Sequence, residues 1–130
     1  MDYREVSLPA GTVIGVRSGA IEHVGIITDQ RIDDMPAVIS NSYAHRGVRE
    51  EPLSSFAGGR PFRIHKAMSA MPGEEVAARA RRMVGRRYHA IRFNCEHFVR
   101  IAHGLKPRSP QLHGALVLAA GALAIWRLAR

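Results

Sequence analysis

The sequence predicts an α+β domain, on three observations: short β-branched runs fill the first half, helical patterns follow from residue 72, and one strongly apolar segment closes the chain. Its 130 residues suit one domain with one real core. With 46% hydrophobic and 23% charged residues, the composition is that of a folded chain, not a disordered one.

Runs rich in Val, Ile and Thr, punctuated by Gly and Pro, predict strands over 12–16, 24–28, 37–40, 48–51 and 62–65, in a mostly antiparallel sheet. Pro72-Gly73-Glu74-Glu75 then opens a helix, since Pro is tolerated at a helix start and acids complement the positive end of the dipole. Val76, Ala80, Met83 and Val84 give that helix one apolar face, and Gly85 can terminate it. Asn94 can cap a second helix that buries Phe98, Val99 and Ala102 and ends at Gly104.

Composition changes at Lys106-Pro107-Arg108-Ser109-Pro110, which divides a domain over 1–106 from a tail over 107–130. From Gly114 to Trp126 the tail is uninterruptedly apolar; 13 helical positions span about 20 Å, short of a hydrocarbon core of about 30 Å. Leu112 and Leu128 lengthen the apolar stretch, Arg127 and Arg130 can snorkel, and Trp126 suits an interface. The tail therefore reads as a membrane-associated helix, or as one that packs on the domain or on a second copy in a homodimer.

Charge and cysteine use narrow the partners. The net charge of +8, from 19 Lys and Arg against 11 Asp and Glu, favours anionic partners such as a membrane surface. Arg79, Arg81, Arg82, Arg86, Arg87 and Arg92 cluster, but with only Tyr88 interleaved they match no nucleic-acid-binding motif. One cysteine excludes an internal disulfide, and the polar start Met1-Asp2-Tyr3-Arg4-Glu5 is unlike a secretory signal, so a reducing cytoplasm is the expected compartment.

The chemistry centres on Asn94-Cys95-Glu96-His97-Phe98-Val99, which places the only thiol in the first turn of a predicted helix. Free N–H groups and the dipole there would lower a thiol pKa from about 8.5 and could form an oxyanion hole. A thiol nucleophile also needs a base, and His23 opens the apolar run His23-Val24-Gly25-Ile26-Ile27 at a strand end, where a ring can project into a cleft. Taken singly, Cys95 also fits a buried structural thiol and His23 a satisfied strand histidine. Cys95, His97 and His103 lack zinc-ligand spacing, so no metal or cofactor is expected, and His97 reads as structural, on the outer face of the helix. Glu96 and Arg100 stand at i,i+4, as in a surface ion pair.

Together these residues resemble the lecithin:retinol acyltransferase (LRAT)-like branch of the permuted papain-like proteins. Asn94-Cys95-Glu96-His97-Phe98 is similar to that family's cysteine signature, and His23-Val24-Gly25-Ile26 to its upstream histidine box. The resemblance extends through Pro9-Ala10-Gly11-Thr12, Glu50-Glu51-Pro52-Leu53, Phe56-Ala57-Gly58-Gly59 and Tyr88, over roughly residues 8–104. It implies a circularly permuted papain-like fold, with Cys95 as nucleophile, His23 as its base, and Tyr88 orienting or stabilising the oxyanion.

The third member departs from the pattern: animal relatives carry a second His where this chain has Ser40. Ser40 or the neighbouring Asn41 could accept a hydrogen bond from the imidazole, but strand alternation lets only one of them face it, and His45 is a weaker candidate. The expected activity is a thiol acyltransferase or phospholipase-like acyl hydrolase acting on lipid esters. The alternatives are an NlpC-type peptidase or amidase, and a catalytically weak binding or regulatory module with an incomplete triad.

Overall fold

The computed structural model describes residues 1–129, and Arg130, assigned above to the tail, lies outside the described residues. After a 3-10 turn at Tyr3–Glu5, the chain forms strands β1 (Val13–Ser18), β2 (Ile21–Ile32), β3 (Met35–Ser42) and β4 (Gly47–Pro52). Helix α1 (Leu53–Ala57) and strand β5 (Phe62–Ile64) follow, and then helices α2 (Gly73–Arg82), α3 (Cys95–Ala102) and α4 (Pro110–Ala129). All five strands pair antiparallel in the order β4-β3-β2-β1-β5. The α+β class predicted from the sequence is the class observed.

The sheet is buried on both faces, because successive strand residues point to opposite sides and both sides are apolar. On one face Val13, Val24, Ile26, Ile39 and Val48 meet Val76, Ala80 and Met83 from the α2 region and Phe98, Val99 and Ala102 of α3. On the other, Ile14, Val16, Ile27 and Val38 meet Leu53, Phe56 and Ala57 of α1, with Tyr3, Val6 and Leu8 packed against them. Gly73 allows α2 to approach the segment before β1: a Cβ there would stand 1.9 Å from the Ala10 carbonyl oxygen.

Three elements exceed the sequence expectation. Strands β2 and β3 run past their apolar cores and join through Asp33 and Asp34, both at positive φ (52° and 61°), a conformation that Asp tolerates. Helix α1, absent from the sequence reading, is too short for helical periodicity to register; it ends on Gly58 in the left-handed region, whose N–H closes onto the Ser54 carbonyl.

The tail forms one helix of 20 residues, about 30 Å long, and so long enough to cross a hydrocarbon core. Its mean hydropathy is 1.6, and its apolar body from residue 116 to 129 is exposed. Its start is tied to the sheet through Gln111 and Glu22.

Candidate active site

Helix α3 opens on Cys95, and its N-terminus is built by side chains on either side of the thiol. Asn94 caps it, accepting from the N–H groups of Glu96 (3.0 Å) and His97 (3.1 Å). His97 returns the bond, its Nδ1 accepting from the Asn94 N–H at 3.0 Å, so it fills the capping-box position usually held by Glu or Gln. His97 is thus structural, as expected, but buried and not on an outer face. The pairing of Glu96 with Arg100 does not form: Glu96 turns to Ser109 and Gln111, while Arg100 donates to the Lys106 carbonyl at 2.9 Å.

His23 lies near the start of β2, its ring 5.1 Å from that of Phe56. Its Nε2 stands 3.3 Å from Ser40 Oγ, on the neighbouring strand. Ser40 is fully buried. Asn41 faces the other way: its Nδ2 donates to the Phe93 carbonyl at 2.8 Å, anchoring the loop that leads into Cys95. Strand alternation therefore assigns the imidazole contact to Ser40 and gives Asn41 a loop-holding contact instead.

The backbone beside His23 reaches the thiol, but the two side chains lie on opposite faces of β2: Cys95 packs with Val24 on the α3 face, and the His23 ring lies against Phe56 on the α1 face. The backbone N–H of Val24, next to His23, acts on the Cys95 sulfur, whereas the His23 ring bonds Ser40. Tyr88 shares a cleft of about 220 Å³ with Cys95, between Ile21 on one side and Leu112 and Ala115 of α4 on the other. Burial raises the Tyr88 pKa first, and the charge of a Cys95 thiolate adds to it, as expected for two groups within electrostatic reach.

The thiol departs from its sequence expectation. Burial pushes the Cys95 pKa up and the Glu96 carboxylate adds to the rise, outweighing the N–H groups of Val24, Glu96 and Cys95 itself. Helix position alone predicted a depressed value because it counts the dipole and omits desolvation. Iodoacetamide alkylation of Cys95 is therefore expected to titrate with a midpoint above the ordinary thiol value of about 8.5. A midpoint near 7 would show the N–H groups winning over burial.

Burial also lowers the His23 pKa, favouring the neutral ring that a proton acceptor needs at neutral pH. Opposing that shift is Glu51, which sequence reasoning missed. It is only 4% exposed, on the same sheet face as Ser40, paired with Arg49 Nη2 at 3.0 Å and His45 Nε2 at 3.5 Å. Its carboxylate raises the His23 pKa and the nearby His45 lowers it. The cross-strand register, Ser40 against Arg49 and Val38 against Glu51, is the signal that could have found it. In Glu51→Gln, burial is less opposed, so the acidic limb of any His23-dependent rate profile should move to lower pH; an upward move would contradict this placement.

Among the described residues no cluster of His, Cys, Asp and Glu is arranged to hold a metal ion. A comparison with curated proteins returns no significant match. Residues 8–105, about three quarters of the chain, match the family model described as lecithin retinol acyltransferase. That span takes in β1 through α3, with Cys95, His23, Ser40 and Tyr88 inside it, and the chain belongs to the lecithin retinol acyltransferase family.

Proposed function

We propose that the protein is a thiol acyltransferase or acyl hydrolase acting on lipid esters through an acyl-enzyme on Cys95. Members of the family are typically acyltransferases, which supports an enzyme of that general class. The observation that carries the finer reading is that α3 opens on Cys95, with Tyr88 in the same cleft of apolar walls and the backbone next to His23 against the sulfur.

In the proposed reaction, Ser40 Oγ accepts from the Nε2–H of His23, which leaves Nδ1 unprotonated. For His23 Nδ1 to take the thiol proton its ring turns from Phe56 toward Cys95; sulfur then attacks the ester carbonyl, so a neutral pair goes directly to thioester formation without a resting ion pair. The Cys95 backbone N–H, which the Asn94 cap does not take, and the Tyr88 hydroxyl would stabilise the oxyanion. As the tetrahedral intermediate collapses, the imidazolium returns its proton to the departing alkoxide. An alcohol, amine or water acceptor then attacks the thioester, giving transfer or hydrolysis.

A second reading keeps the fold as a binding or regulatory module. The features that favour it are the raised thiol pKa and a neutral Ser40 where the family's second histidine would stand. An NlpC-type amidase is the third; the apolar walls of the cleft favour acyl chains over peptide. Incubating the protein with phospholipid vesicles, with and without an amine acceptor, separates them. The enzyme reading expects Cys95-dependent release of lysolipid and, with acceptor, an N-acyl product; neither product from wild type would leave the module.

We also propose that α4 attaches the protein to a membrane. Its length and exposed apolar body support this, as do Lys106 and Arg108 just before it, which would attract anionic headgroups.

A further inference from the structure

The start of α4 is fastened to the site by contacts that its exposed body does not require. Gln111 pairs with both backbone groups of Glu22, next to His23: its Nε2 donates to the Glu22 carbonyl at 3.1 Å, and its Oε1 accepts from the Glu22 N–H at 3.0 Å. On the other side, Glu96, next to Cys95, accepts from the Ser109 hydroxyl and from the Gln111 N–H (3.2 Å). Ser109 Oγ then accepts from the Leu112 N–H at 3.2 Å, capping the helix it fastens. Ser109 is itself buried.

One turn of helix thus bridges the strand that carries His23 and the helix that carries Cys95. Directly beyond it, Leu112 and Ala115 form one wall of the Cys95 cleft, and the same helix continues outward for about 20 Å as exposed apolar surface, residues 116–129. A flexible tether would hold the domain near a bilayer in any orientation. A helix hydrogen-bonded on both sides of the site fixes one.

We propose that Ser109 and Gln111 are positioning residues: they clamp α4 to the backbone beside His23 and Cys95, so that the helix inserted in a bilayer brings the Cys95 cleft down onto the lipid surface. A lipid acyl chain can then reach the thiol along Leu112 and Ala115 without leaving the membrane. The inference rests on Cys95 being the reacting group and adds where its substrate comes from.

Cys95 is the only cysteine, so the test is a pair of labelling rates on the full chain bound to anionic phosphatidylglycerol–phosphatidylcholine vesicles. One probe is a maleimide carried on a lipid acyl chain and the other a water-soluble maleimide. For wild type the lipid-borne probe should label at least tenfold faster than it labels a version whose clamp is broken, Gln111→Ala or Ser109→Ala. The ratio of lipid-borne to water-soluble rates should fall by about the same factor. Co-sedimentation with vesicles should not change, and Ser109→Thr, which keeps the hydroxyl, should restore the ratio. An unchanged ratio in both broken-clamp variants would overturn the proposal, as would a parallel fall of both rates, which is the signature of a merely structural role. Labelling needs no turnover, so a wild type that labels as expected yet forms no acyl-enzyme would fail the proposed function and leave the clamp standing.

Discussion

Replacing Cys95 or His23 by Ala is expected to lower acyl transfer by ~10³-fold or more each, with the double variant scarcely worse than either. The nucleophile and its base act in one step: with sulfur gone, His23 has no proton to take. With His23 gone, a thiol that burial keeps protonated has no acceptor, so this loss should exceed that of a chain with an acidic thiol. Ser40→Ala should cost less, because it removes a neutral acceptor at 3.3 Å and leaves the ring packed at a tilt against Phe56. Asn41→Ala should act through stability, since its amide holds the buried Phe93 carbonyl, and such a loss is worth about 1–3 kcal/mol. Steady-state rates on a soluble ester, read beside melting temperatures, separate the four. Additive losses at Cys95 and His23 would show that they do not work together.

Ending the chain after Ala115 is the second large effect expected. The cut keeps the clamp and both cleft-wall residues of α4, and the described residues that it removes, 116–129, are exposed, so the melting temperature should stay within a few degrees of the full chain. Vesicle binding should fall by at least tenfold, because the lost apolar positions each carry on the order of 1 kcal/mol of transfer free energy or more. A collapsed melting temperature with unchanged sedimentation would mean that the tail packs on protein, with a second copy as the remaining partner.

Much of this architecture was legible because it rests on local pattern. Five β-branched runs located five strands, and Asn94 located the start of α3 through its capping oxygen. The extensions of β2 and β3 were not, because a backbone ladder continues through polar residues such as Asp29, Gln30 and Arg31 once a turn at Asp33 and Asp34 sets the register. In the site, alternation stated that Ser40 and Asn41 diverge, but only the packing of β3 between α3 and α1 says which side holds the imidazole. Glu51 and Gln111 were invisible for a related reason. Each acts across the fold: Glu51 lies 28 positions from His23 in sequence, and Gln111 reaches Glu22 over 89. The raised thiol pKa likewise depends on burial, which helix position does not report.

Intact-protein mass spectrometry after brief exposure to a short-chain phospholipid or an activated ester tests the central claim most directly, since there is one cysteine to modify. The account predicts a single acyl increment that maps to Cys95, is released by hydroxylamine, and is absent from Cys95→Ala and His23→Ala. Continued turnover without any adduct on Cys95, or an adduct that persists in Cys95→Ala, would contradict it.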